Sequence, residues 1–83
     1  MYRVTIKYKT GNDYCCDHVS EVVYLAPAEL LSLKQFEEKS VSGDELLTHH
    51  FPTDSPLWVH HSKGVDSVST KDIRWIHIDK EPD

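Results

Sequence analysis

The alternation of the first eight residues constrains the fold more than any other feature of this sequence. Apolar and polar residues take turns, in the order Tyr2, Arg3, Val4, Thr5, Ile6, Lys7 and Tyr8. Because successive side chains of a strand point to opposite faces, this pattern predicts a strand with one face in a core and the other in water. Residues 72–79, rich in isoleucine and containing Trp75, have the same character. Both ends of the chain are therefore predicted to be strands of one sheet.

The length of the chain limits what its interior can hold. Eighty-three residues make one domain, spanning 1–83, whose small core leaves no room for a cofactor cavity, so we expect no cofactor and a function at the surface. The most apolar stretch, residues 22–33, is interrupted by Pro27, Glu29 and Ser32, which argues against a membrane segment. The adjacent Cys15 and Cys16 disfavour a structural disulfide. We expect reduced thiols and a cytoplasmic location.

Turn signals divide the chain into hairpins. Gly11 and Asn12 predict a tight reversal between the first strand and an extended run over residues 14–25. The apolar pattern of that run predicts either burial on both faces or a bulge at residues 20–21. A second hairpin joins residues 57–61 to 65–69 through a loop that ends in Gly64. The last strand changes face, which predicts a bulge at residues 75–76 or apolar cover on both sides.

Between the hairpins, the sequence predicts helix. Pro27 suits the first turn of a helix, and Lys39 suits its last. Three apolar residues recur between them at a spacing of three, and these are Leu30, Leu33 and Phe36. They predict a helix over residues 27–39 with this side against the sheet. Ser42 and Glu45 resemble a capping box for a short second helix at residues 44–48. The predicted fold class is α+β, with an antiparallel sheet of four or five strands, one main helix on a face and a short second helix.

The charge distribution indicates the class of partner. The formal net charge is −5, and the acids concentrate in the middle of the chain, which disfavours direct binding to nucleic acid. Complementary charge steers association, so an acidic surface favours a protein with a basic groove. Phe51 and Trp58 fit the aromatic anchors of an interface. The predicted partner-binding residues are Glu37, Glu38, Asp44, Glu45, Phe51, Asp54 and Trp58.

Histidines and cysteines suggest a competing hypothesis. Six histidines include the adjacent pairs at residues 49–50 and 60–61. A zinc site needs about four ligands that converge. Adjacent strand residues point apart, so each pair would give one ligand. The alternative function is a small zinc-binding domain that uses Cys16, His18, His50 and His60.

Catalysis is not expected from this sequence. No phosphate-binding glycine loop, serine elbow or zinc-protease helix motif occurs. A cysteine nucleophile needs an electropositive setting, whereas Asp13, Asp17 and Glu21 surround the cysteines. We therefore predict a protein that is not an enzyme and binds no membrane.

In size, acidity, alternation of hairpins with a helix and lack of a catalytic motif, the chain resembles small accessory proteins of phages and prophages. Anti-CRISPR proteins and other anti-defence inhibitors belong to this group. The resemblance is one of size and style rather than of any residue motif. It implies a non-enzymatic inhibitor, monomeric or homodimeric, that docks onto a nucleic-acid-handling host or defence protein. A structural subunit of a homo-oligomer is the third hypothesis.

Overall fold

A computed structural model describes residues 1–30, 33–52 and 55–82 of the chain, and these residues form one antiparallel sheet. Its elements follow in the order β1 (Tyr2–Tyr8), β2 (Asp13–Leu30), β3 (Leu33–Ser42), a 3₁₀ helix (Gly43–Leu47), β4 (Leu57–His61), β5 (Gly64–Val68) and β6 (Ile73–Lys80). The strand order across the sheet is β5-β4-β2-β1-β6, and β3 also pairs with β2. Both predicted hairpins, β1–β2 and β4–β5, are confirmed.

Strand β2 organises the sheet because it is long enough to pair with three others. Its first part pairs with β1, up to the Tyr2–Val19 pair. Its middle, from Val19 to Tyr24, pairs with β4 on the other edge. From Glu21 onward, beyond the end of β1, the first edge of β2 pairs with β3. Strands β1 and β3 therefore lie one after the other along the same edge of β2.

Two bulges bend β2 and turn one face of it toward the core. The register shifts first between Cys16 and Val19, where His18 has a φ of 60°. It shifts again between Val19 and Glu21. Each bulge adds one residue and so reverses the alternation. As a result Cys16, Val19 and Val22 all contribute to the core side. The bulge predicted at residues 20–21 is confirmed, whereas the one beside His18 was not predicted.

The core lies on one face of the sheet. It consists of Tyr2, Val4, Ile6, Val19, Val22, Val41, Leu46, Leu57 and Val59. The predicted inward face of β1 is thus confirmed. Val41 and Leu46 close the core from the end of β3 and from the 3₁₀ helix.

The prediction of an α+β fold with a helix over residues 27–39 is wrong. Strand β2 continues through Leu30 and β3 begins at Leu33, with Leu25 opposite Glu38 and Pro27 opposite Phe36; residues 31–32 lie outside the described part of the chain. Phe36 is 71% exposed, so it does not pack on the sheet. Helix signals are local and weak, and here cross-strand pairing outweighs them.

The second predicted helix, at residues 44–48, is also wrong, since the chain forms the 3₁₀ helix instead. The Ser42 side chain makes no capping hydrogen bond. Ser42 is still paired with Glu21 as the last residue of β3, and Gly43 then takes a φ of 63°, which is outside the helical region. The capping-box sequence is present, but the backbone geometry that it needs is not.

The last strand changes face one step earlier than predicted. The register against β1 shifts at Arg74, between Ile73 and Trp75. Ile73, Ile76 and Ile78 therefore pack against the core, while Trp75 is 44% exposed on the opposite face. Within the described residues, no helix has the length and apolar character that a membrane span requires.

Candidate functional site

The outer face of the sheet, opposite the core, carries a groove that crosses four strands. The alternation that buries Val22, Leu57 and Val59 sends their neighbours outward. The lining residues come from β2, β3, β4 and β5, and are Glu21, Val23, Glu38, Trp58, His60 and Val65. We call this region the outer groove. Two of its six residues, Glu38 and Trp58, belong to the predicted partner-binding set.

The floor of the outer groove is apolar. Val23 on β2 lies opposite Trp58 on β4, and His60 lies opposite Val65 on β5. Val65 is 52% exposed, and the Val23 and Trp58 side chains are half-buried. The indole of Trp58, with Val23 directly opposite and Val65 diagonally across on β5, gives an apolar surface of the kind that interfaces use as an anchor.

The rim of the outer groove is acidic. Glu21 accepts a hydrogen bond from the Ser40 hydroxyl, and Nδ1 of His60 lies 3.7 Å from its carboxylate. Glu38 has no ion-pair partner among residues 1–30, 33–52 and 55–82. The two carboxylates therefore contribute a negative potential at the edge of the groove.

The other predicted acids lie elsewhere, so the predicted acidic residues do not form one compact surface. Glu37, the residue before Glu38 on β3, points to the opposite face of the sheet, and its carboxylate lies 3.0 Å from Nζ of Lys39. Asp44, in the 3₁₀ helix, accepts a hydrogen bond from the Tyr2 hydroxyl at 2.6 Å. Glu45 is exposed in the same turn. Because the 38–44 segment is mostly extended, Asp44 lies roughly 20 Å along the chain from Glu38.

Phe51 lies on the core side of the sheet. Its ring packs edge-to-face against Tyr24, with centroids 5.8 Å apart, and against His49 at 4.8 Å. It is half-buried and contacts the core. Asp54, also predicted to bind the partner, lies outside the described residues.

The predicted zinc ligands do not converge. Cys16 is half-buried on the core side, whereas His60 lines the outer groove. His18 pairs with Glu81 through Nδ1 at 3.2 Å, and His50 is exposed. Cys16 instead meets His61 and Asp66, which the sequence interpretation did not select. The signal was available, because the predicted β4–β5 hairpin brings the segments that contain these two residues together.

The surroundings of Cys16 oppose its use as a nucleophile. Burial raises the pKa of its thiol, and the carboxylates of Asp66 and Asp17 raise it further. A nucleophilic cysteine needs the reverse, a lowered pKa that provides thiolate at neutral pH. The geometry around Cys16 thus gives no support for thiol catalysis.

Comparisons with known proteins identify no relative: no protein-family model, no curated protein and no solved structure matches this chain.

Proposed function

We propose that this chain is a non-enzymatic protein-binding module that inhibits a basic, nucleic-acid-handling protein by docking the outer groove against it. The observation that supports this most is that the apolar floor around Trp58 and the carboxylates of Glu21 and Glu38 occupy one groove. The net charge of −5 adds an electrostatic attraction toward a basic partner. As in the phage accessory proteins that the chain resembles, we propose that it acts in the host cytoplasm.

An arginine of the partner fits the chemistry of the outer groove. A guanidinium stacks on an indole face and forms paired hydrogen bonds with a carboxylate. Trp58 supplies the ring, and Glu38 supplies the carboxylate at the edge. Arginines are frequent where a protein binds nucleic acid, so this recognition would direct the module to such a surface.

Two neighbouring glutamates provide a matched test of this proposal. Affinity capture with the tagged protein from nuclease-treated lysate of its source cells, read by mass spectrometry, supplies the partner. Binding of the purified partner is then measured for the Glu38→Lys and Glu37→Lys variants. The two variants change the net charge equally, but only Glu38 lines the outer groove. We expect Glu38→Lys to weaken binding about tenfold or more and Glu37→Lys to change it about twofold or less, because like charges in contact are costly.

A third variant tests the apolar floor. Trp58→Ala should also weaken binding about tenfold or more, since aromatic anchors dominate interface energies. Thermal melts of all three variants establish that each is folded. Equal losses for Glu37→Lys and Glu38→Lys would assign the effect to net charge alone and contradict the assignment to the outer groove. A folded Trp58→Ala variant with full affinity would contradict it as well.

A further inference from the structure

A second polar site lies on the inner face of the sheet, at one end of the core. Cys16 comes from β2, His61 is the last residue of β4, and Asp66 lies in β5. The register explains their meeting: Val19 lies opposite His61, and Val59 lies opposite Asp66, so all three side chains emerge where the valine core ends. We call these residues, with Tyr14, the inner polar cluster. None of the four lines the outer groove.

The donor atoms of the inner polar cluster are already close together. One ligand atom each from Cys16, His61 and Asp66 lies within 4.8 Å of the others, and all three residues are half-buried. Nε2 of His61 lies 3.2 Å from Oδ2 of Asp66. The His61 side chain is only 14% exposed, and Nε2 is shielded from solvent without hydrogen-bonding geometry to any described residue. Nε2 is thus buried beside a carboxylate without a well-aligned hydrogen bond to it, and a buried polar atom in that state requires an explanation.

Tyr14 holds the carboxylate of this cluster in place. Its hydroxyl donates a hydrogen bond to Oδ2 of Asp66 at 2.7 Å. Second-shell hydrogen bonds of this kind orient ligating groups toward a metal. The Tyr14 hydroxyl thus fixes Oδ2, the same Asp66 oxygen that lies 3.2 Å from Nε2 of His61. A carboxylate oxygen has two lone pairs, so Oδ2 can accept this hydrogen bond and still bind a cation.

We propose that Cys16, His61 and Asp66 bind one zinc ion, with Tyr14 orienting Asp66. A thiolate, an imidazole and a carboxylate are donor types that zinc prefers, at about 2.0–2.3 Å from the metal. Tetrahedral geometry at those lengths puts donors roughly 3.5 Å apart, so the present spacing needs only a small contraction. The opening lined by Cys16, His18, His61 and Lys63 leaves a fourth position for water.

Zinc binding releases one proton of the cluster and moves another. The Cys16 thiol releases its proton to solvent as the sulfur–zinc bond forms. His61 must bind through Nε2, so the proton of the neutral ring sits on Nδ1. Nδ1 now accepts a hydrogen bond from the Lys63 amide at 3.2 Å, and that bond is given up. Because the hydrogen bond between the Lys63 amide and His61 is lost, we expect the loop after β4 to shift when the metal binds.

Adjacent residues supply the controls for the test. The reduced protein is titrated with Co²⁺, whose bond to a thiolate produces a charge-transfer absorption, and Zn²⁺ is then added to displace it. We expect one equivalent of Co²⁺ and a band that is lost in Cys16→Ser but kept in Cys15→Ser. His60→Asn should behave as the wild type, because His60 faces the outer groove, whereas His61→Asn should bind at least tenfold more weakly.

Two further variants test the same site with substitutions that change the side-chain shape very little and so are expected to fold. Asp66→Asn keeps the shape of the side chain and should weaken Zn²⁺ binding in competition with a chromophoric chelator. Tyr14→Phe should weaken it about tenfold through the freed carboxylate. Absence of the band in the folded wild type, or equal loss in the Cys15 and Cys16 variants, would overturn the proposal. No partner protein enters this test, so its outcome is independent of the proposed inhibitor function.

Discussion

The hydroxyl of Tyr2 joins the first strand to the 3₁₀ helix. The ring is buried in the core, while the hydroxyl donates to the Asp44 carboxylate at 2.6 Å, and Nζ of Lys80 lies 3.8 Å from the same carboxylate. This hydrogen bond, followed by the charge of Lys80, lowers the pKa of Asp44. The folded state therefore favours the ionised form of Asp44.

That lowered pKa predicts a dependence of stability on acid. A carboxyl whose pKa is lower in the folded state stabilises the protein above its unfolded pKa, about 4, and loses this contribution as the pH falls through the folded value. We expect Tyr2→Phe to lower the denaturation midpoint at pH 7. The difference from wild type should shrink as the pH falls from about 5 to about 2.5. Urea melts at several pH values measure this difference, and a constant one would assign the loss to packing alone.

Individual residues differ in how far the sequence could predict their place. The face of Tyr2, Val4 and Ile6 follows from alternation alone, because one strand fixes it. The sequence indicated Cys16 only as a candidate zinc ligand and did not show which cysteine is buried. Its neighbours His61 and Asp66 lie on strands whose order in the sheet is not encoded locally. Strand order depends on pairing between distant segments, and no short pattern records it.

At the scale of elements, the prediction from the sequence failed most clearly at the hairpin of β2 and β3. Local cues such as Pro27 are worth little beside a ladder that gains backbone pairing at every step. By Tyr24, β2 is already fixed between β3 and β4, so extending it requires no new chain reversal. Phe36 is then left on the surface, although its spacing from other apolar residues is typical of a helix face.

The same hairpin predicts a contrast between two large apolar side chains. Ile6 is fully buried in β1, whereas Phe36 is largely exposed in β3. Ile6→Ala should therefore cost about 2–5 kcal/mol of unfolding free energy, from lost burial and the cavity left behind. Phe36→Ala should change it by about 0.5 kcal/mol or less. Denaturant titrations distinguish these values, and a large loss for Phe36→Ala would mean that its ring packs as the helix prediction required.

For the whole molecule, the net charge gives the most direct test of electrostatic docking. The six histidines, once protonated, would offset the entire net charge of −5. Imidazoles titrate between about pH 8 and pH 5, so an acidic docking surface loses its attraction for a basic partner over that range. We expect affinity for the captured partner to fall between about pH 7 and 5 at constant ionic strength. An affinity that stays level across this range would argue against electrostatic docking.

The position of β1 inside the sheet also determines the order in which the fold can be completed. Strand β1 pairs with β2 on one side and with β6 on the other, but β6 is synthesised after every other strand. At roughly 5–20 residues per second, one edge of β1 stays open for several seconds on a ribosome. An open edge invites pairing with other chains, and the outward Arg3 and Lys7 discourage it. Their positive charge thus protects the nascent chain before it contributes anything to the finished protein.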